Sequence, residues 1–254
     1  IKPAYGFRAG YAYDNLLYVV AGQVAAAAGG ASYEELVRRE LFEPLGLSGC
    51  RVGEFSLADA GSVAQPHTRA GDRNEAIRRD GEVVPAIASA PAGGIRCGLD
   101  DMLAWANNWL VPNEAQRQWL GDAQRAEMVT ARTPMPISAQ RKRWDNTHYY
   151  AYAYGFRLAD VDGAWTVSHT GTLGGMYSMM MLVPDRKSGF VFMINGDGSN
   201  ARTVLAQVLL KLFTAPEKSL GVAGYADELA KPASSNGVAK SKPPLPDISK
   251  RTPV

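Results

Sequence analysis

The sequence contains no continuous apolar run of the roughly 18 residues that a helix needs to cross a bilayer. It has two cysteines, Cys50 and Cys97, and neither has another Cys or a His at zinc-ligand spacing. No structural metal and no cofactor is therefore expected, and the redox compartment stays open. An excess of one charge sign is missing too. The chain carries 27 Lys and Arg against 25 Asp and Glu, a net charge of +2. So even a balance argues against nucleic acid or an anionic membrane as the partner.

What is present suits a globular protein. At 254 residues, 46% hydrophobic and 20% charged, a chain can bury about 70% of the surface that its unfolded form exposes. Residues 14–28, "DNLLYVVAGQVAAAA", hold apolar side chains near helical spacing and stop at Gly29-Gly30, which predicts a largely apolar, buried helix. Ser32-Tyr33-Glu34-Glu35 is a capping box that opens a second helix, closed by Pro44 and Gly46. A third is signalled by "CGLDDMLAWANNWL". Cys97 stands at its cap or as a small buried hydrophobe, and Met102, Trp105, Ala106 and Trp109 form one face. Residues 49–94 read as long surface connections, and Arg141-Lys142-Arg143 as a solvated loop.

Beyond Asn146 the period becomes strand-like. Tyr150, Tyr152, Tyr154 and Phe156 alternate as on one face of a strand, more in the manner of cross-strand packing than of a ligand platform. Three apolar segments, "AWTVSHTG", "MYSMMMLVPD" and "GFVFMINGDG", read as adjacent strands, the last two an antiparallel hairpin. A helix from Ser199, with Ala201, Val204, Leu205, Val208 and Leu212 on one stripe, is suited to lie on that sheet. From Pro216 onward, prolines, Lys and Ser leave too little apolar surface for a core. The expectation is an α+β domain over 1–215, with helices first and a mostly antiparallel sheet covered by a C-terminal helix, followed by an extended tail or linker over 216–254.

Two short stretches invite chemistry: Tyr13-Asp14-Asn15 at a helix mouth and His169-Thr170-Gly171 at the end of a strand. Taken with "FEPLGL" (42–47) and "PAGGI" (91–95) between them, in that order, the chain resembles the C-terminal part of β-lactamase-related serine hydrolases of the class C type. That family includes penicillin-binding DD-peptidases, esterases and β-lactamases, and the resemblance runs from about Phe7 to Phe213. The triplets are similar in position to the Ser-Asp-Asn and Lys-Thr-Gly of a sister class.

The resemblance implies a role for each residue. A phenol, with an ordinary pKa of about 10, becomes a base for serine only when a neighbouring ammonium favours the phenolate, and Tyr13 would be that base. Asn15 offers an amide that can hold a lysine on one side and a substrate carbonyl on the other. His169 stands where many relatives carry Lys, beside the place of a substrate carboxylate, so acid recognition should weaken as pH rises through about 6.5. Thr170 supplies a hydroxyl, Gly171 leaves room for substrate beside the strand, and the N–H of Thr172 would help form an oxyanion hole. The strand edge would pair with the substrate's amide. His67 and His148 have no motif around them and read as structural or surface residues.

The departure from the family pattern is the nucleophile. Relatives carry it in a Ser-x-x-Lys upstream of Tyr-x-Asn, and this chain has no Ser-x-x-Lys. Ser48, Ser138 and Ser199 are followed three residues later by Arg, all in downstream contexts. The N-terminal strands and the nucleophile helix are thus expected to lie outside this chain, as a missing segment of the same protein or as a separate polypeptide. The chain alone should be nearly inert, since losing the nucleophile costs about a million-fold in kcat in another serine hydrolase. The expected function is hydrolysis of amides or esters through an acyl-enzyme, acting on a peptide or small molecule. A non-catalytic relative that binds peptides is the alternative. A periplasmic or secreted home follows from the resemblance alone.

Overall fold

Asp14 sets where the first helix begins. In the computed structural model, which describes residues 5–6, 10–77 and 81–231, its carboxylate accepts from the backbone N–H of Leu16 at 2.8 Å and of Leu17 at 3.3 Å. Those are donors that a helix start leaves free. Helix α1, Asn15–Gly29, ends at Gly30, whose φ of 64° is the left-handed cap that glycine adopts without strain. The expectation of a buried helix is corrected here. Gly22 is the only buried residue of α1, while Leu16, Leu17, Val20 and Val24 are each more than half exposed. An apolar surface all round the helix satisfies the burial rule only if layers pack on both sides, and among the described residues one side has none. The covered side meets the Pro-Ala-Gly-Gly turn. A Cβ on Gly22 would stand 2.2 Å from the Pro91 ring, so glycine is what permits the approach.

Ser32 opens the next helix as expected, its Oγ accepting from the N–H of Glu35 at 3.2 Å. The helix continues through a wider π turn, Arg38–Phe42, to Leu45 and closes at Gly46. Residues 49–94 are not only connections, for they include two small antiparallel pairs, Phe55–Ser56 with Val83–Val84 and His67–Ala70 with Arg73–Ala76. Strands this short carry too few residues to show a period.

Cys97 is neither a helix cap nor a free thiol. It is bonded to Cys50, and Gly98 is the cap of helix α2, Leu99–Leu110. The crosslink spans 47 residues and ties α2 to the loop that follows Gly46. Closing such a loop removes freedom from the unfolded chain, so Cys50→Ala with Cys97→Ala should lower unfolding free energy by about 2–4 kcal/mol in a urea titration. A midpoint that responds neither to the substitutions nor to reductant would show that the crosslink contributes nothing.

Six strands form one sheet: β1 Thr133–Pro134, β2 Tyr150–Tyr152, β3 Arg157–Val161, β4 Ala164–Leu173, β5 Met176–Val183 and β6 Ser188–Ile194. Each pairs antiparallel with its sequence neighbour, in the spatial order β6-β5-β4-β3-β2-β1. Asp162 and Gly163, at φ 48° and 81°, make the tight turn between β3 and β4 that Asp-Gly favours. The aromatic run of residues 150–156 is not one strand. The N–H of Ala153 donates to the carbonyl of Phe156 at 2.8 Å and closes a turn, which leaves Tyr154 exposed and sends Phe156 into the core.

Alternation then builds two cores. Leu158, Val167, Met180 and Leu182 face Ala106 and the two tryptophans of α2. Ala159, Val161, Met181, Val183, Phe190 and Phe192 face Leu210 of helix α4, once helix α3, Ala139–Asp145, and α4, Ser199–Thr214, are counted in chain order. The expected loop at 141–143 is therefore helix, started by Ser138 Oγ accepting from the N–H of Arg141. The stripe on α4 is also rotated from the expected one. Val204, Gln207, Leu210, Lys211 and Thr214 are buried, whereas Leu212 is 60% exposed. Polar partners at the ends of α3 and β3 explain the rotation. Lys211 donates to the carbonyl of Trp144 and pairs with Asp162, and Gln207 donates to Asp145, whose carboxyl is pushed up by burial.

The segment read as extended from Pro216 is corrected in its first part. Helix α5, Gly221–Ala230, packs there, with Tyr225 fully buried and its ring 5.0 Å from that of Trp144. Tyr225 and Leu229 with Val204 and Val208 supply the apolar surface that composition did not suggest. The rest of the expected tail, 232–254, lies outside the described residues, as do residues 7–9 at the start of the motif-bearing stretch.

Candidate active site

Strand β4 outlasts one of its neighbours. Its ladder with β3 ends at Arg157↔Ser168, while its ladder with β5 continues to Leu173↔Met176. His169 to Leu173 thus pair on one side only, and no strand among the described residues lies along the other. Side chains alternate along the strand, so His169 shares a face with Val167, and Thr170 and Thr172 share the opposite face with Ser168.

Tyr13 reaches this open end from the far end of the chain. Its ring lies over that of His169 at 6.3 Å and 27°, and edge-on to Tyr152 at 6.4 Å. Tyr11 packs on Tyr152 at 5.2 Å. The Tyr152 hydroxyl and Nε2 of His169 are 2.9 Å apart. Tyr13 and His169 are therefore brought together, while Asn15 sits exposed in the first position of α1.

The hydroxyls of Thr170 and Thr172 are engaged rather than free. Thr170 Oγ1 accepts from Nη1 of Arg157 at 2.8 Å, and Thr172 Oγ1 from Nη1 of Arg202 at 2.7 Å. Arg202 also stands over the Tyr177 ring at 4.5 Å. The room beside Gly171 is taken by the neighbouring strand, since a Cβ there would lie 2.3 Å from Ser178 Oγ. His67 holds the carbonyls of Gln65 and Asn195 through Nδ1, and exposed His148 lies beside Asp160.

Burial first, and the Arg157 charge second, push His169 down from 6.5 to about 4. The expected titration near 6.5 is thereby corrected, and at neutral pH the imidazole is uncharged. Burial, with the Tyr18 hydroxyl bonded to it, pushes Tyr152 up, so it stays a phenol. Burial also raises Tyr11, against the lowering effect of Arg157. Because the folded pKa of His169 lies below the unfolded one, its contribution to stability is complete above about 6.5 and lost as pH falls toward 4. Guanidinium titrations across pH 7 to 4 should show this loss, and His169→Gln should flatten it. An unchanged slope would remove His169 from the account.

Tyr11, Tyr18, Tyr152, Arg157 and Arg202 were not legible as site residues. Tyr152 was visible only within an aromatic alternation. The signal that would have found it is the register Tyr152↔Arg157↔Ser168, which requires knowing where the turn at Gly155 falls.

A family model described as Beta-lactamase matches residues 1–213. Among curated proteins no match was found. The octameric penicillin-binding protein homologue from Pyrococcus abyssi superposes with a TM-score of 0.66 at 20% identity, over 86% of this chain and 45% of that one. A class C beta-lactamase from Rhodobacter sphaeroides gives 0.59 at 18% identity, over 80% and 61%. A D-stereospecific amidohydrolase from a Streptomyces species gives 0.59 at 19%, over 78% and 55%. The chain thus spans about half the length of the solved structures it matches, and at these identities the likeness is one of fold.

Proposed function

Since the chain belongs to the beta-lactamase family, we propose that it supplies the proton-handling and substrate-facing side of a serine hydrolase site of the class C type, which cleaves amide or ester bonds through an acyl-enzyme. The observation that carries this reading is the stacking of Tyr13 on His169 at the open end of β4. In it, Tyr13 takes the proton of a serine held in a segment outside this chain, with a lysine of that segment as the neighbouring ammonium. The Asn15 amide spans that lysine and the substrate carbonyl, and the N–H of Thr172 donates to the oxyanion.

The apolar outer side of α1, with Leu16, Leu17, Val20 and Val24 open to solvent, supports the presence of such a segment, because a single soluble protein rarely leaves a contiguous patch of this kind uncovered. With His169 uncharged, the cations set beside this strand for a substrate carboxylate are Arg157, whose guanidinium already donates to Thr170, and Arg202, which donates to Thr172. The disulfide supports a periplasmic or secreted location, where such bonds persist. Candidate substrates are β-lactams, D-amino-acid peptides and small esters.

The test is turnover by the chain joined to its upstream coding region, using nitrocefin, a D-alanyl-D-alanine peptide and a p-nitrophenyl ester. Hydrolysis of at least one, with an initial burst, is expected. Saturable peptide binding with no turnover of any would replace the hydrolase reading with that of a binding protein.

A further inference from the structure

Tyr225 is 1% exposed, and its hydroxyl has no hydrogen-bond partner. A buried hydroxyl left in that state works against folding, since it gives up water and gains nothing in return. The ring alone would serve the packing on Trp144, so the oxygen calls for another use. Departures of this kind from polar satisfaction are expected where a protein has a ligand to bind.

Tyr225 lines a cleft of about 390 Å³, within the size range of small-molecule sites. The end of α3 forms one side of it with Lys142, Arg143 and Trp144, and Lys218, Leu220 and Glu228 join Tyr225 on the other. That other side lies beyond residue 213, where the family match ends. Asp162, of the β3–β4 turn, and Glu228 are the carboxylates of the cleft, and both are already held. Asp162 pairs with Lys211 and Lys218, and Glu228 with Arg143 and Lys231. Lys142 is exposed and has no such partner among the described residues. Positive charge is therefore in excess, even with Asp145, 3.9 Å from Lys211, counted in.

We propose that the cleft between α3 and α5 is a binding site for a small organic acid, whose carboxylate is held by Lys142 and the Tyr225 hydroxyl and whose apolar body lies against Leu220 and the Trp144–Tyr225 pair. A cation would have to break one of the existing ion pairs to enter. A neutral apolar ligand would leave the hydroxyl unpartnered. An anion meets the free ammonium and supplies the acceptor that the phenol lacks. A bare inorganic anion would leave Leu220, 52% exposed, uncovered.

The chain as it stands is enough for the test, because binding here needs no nucleophile. Trp144 is one of five tryptophans, and Trp144→Phe identifies its indole N–H signal in nitrogen-15 spectra. Benzoate and hexanoate should shift that signal saturably, and inorganic phosphate should bind more weakly than either. Tyr225→Phe removes only the unpartnered oxygen, so its urea midpoint should hold or rise while both acids bind more weakly by roughly tenfold or more. Lys142→Ala, at an exposed and unpaired position, should fold normally and weaken both acids several-fold. No saturable shift with either acid, phosphate bound as tightly as the acids, or a folded Tyr225→Phe with unchanged affinity would overturn the proposal. If Tyr225→Phe does not fold, Lys142→Ala decides, and unchanged affinity there would overturn it. Failure of the hydrolase reading would leave these titrations unaltered.

Discussion

Tyr13→Phe, made in the protein that carries its nucleophile segment, should slow acylation by roughly 10²- to 10⁴-fold, the range that a positioned general base supplies. Only an oxygen is lost. The phenyl ring keeps the stacking on His169 and the edge contact with Tyr152, so binding and folding should change little and the loss should fall in kcat. Presteady-state bursts with a p-nitrophenyl ester separate acylation from the later steps. If the burst rate stays within about twofold, well short of what a lost base costs, the proton is handled elsewhere and Tyr13 is an aromatic wall of the cleft.

Lys211→Ala should cost about 3–5 kcal/mol of stability, the penalty for removing one partner from a buried ion pair. Lys211 is fully buried and pairs with Asp162, while Asp145 lies 3.9 Å away. Its ammonium also donates to the Trp144 carbonyl, so one side chain joins α4 to the end of α3 and to the β3–β4 turn. Lys218 pairs with the other oxygen of Asp162 at 3.0 Å, but it is more than half exposed and cannot replace the buried charge. Lys211→Met combined with Asp162→Asn removes both charges and should cost less than Lys211→Ala alone, since Asn also tolerates the left-handed φ of 48° at that turn. Urea titrations of the three proteins test this. A single-mutant loss below about 1 kcal/mol would mean that the pair is screened by water, as exposed pairs are.

Local signals are legible in the sequence and long-range ones are not. Asp14 and Ser32 announced helix starts because a cap acts on N–H groups two or three residues away. The strands carrying "SHTG", "MMML" and "FVFM" were legible because each is apolar and turn-bounded, and the α+β arrangement follows from their order. Tyr13 and His169 could be singled out only as members of an ordered set of motifs, and their meeting depends on how α1 is seated against the sheet.

The misses share one cause. The Cys50 to Cys97 bond, the Arg157 to Thr170 hydrogen bond and the burial of Lys211 join positions whose proximity follows from register and packing, which periodicity does not encode. Helix α5 is not legible in the sequence because ten residues of mixed composition look like a tail until Tyr225 finds Trp144. Helix α1 is the reverse case. Its apolar pattern predicts burial, yet the layer that would cover Leu16 and Val20 is not among the described residues.

Intact mass after incubation with a fluorophosphonate and with a penicillin tests the central claim most directly. The chain expressed with its upstream coding region should gain one covalent adduct, on a serine upstream of Ile1, and the 254-residue chain alone should gain none. An adduct on a serine within this chain, or no adduct on the longer protein while it binds peptide, would contradict the account.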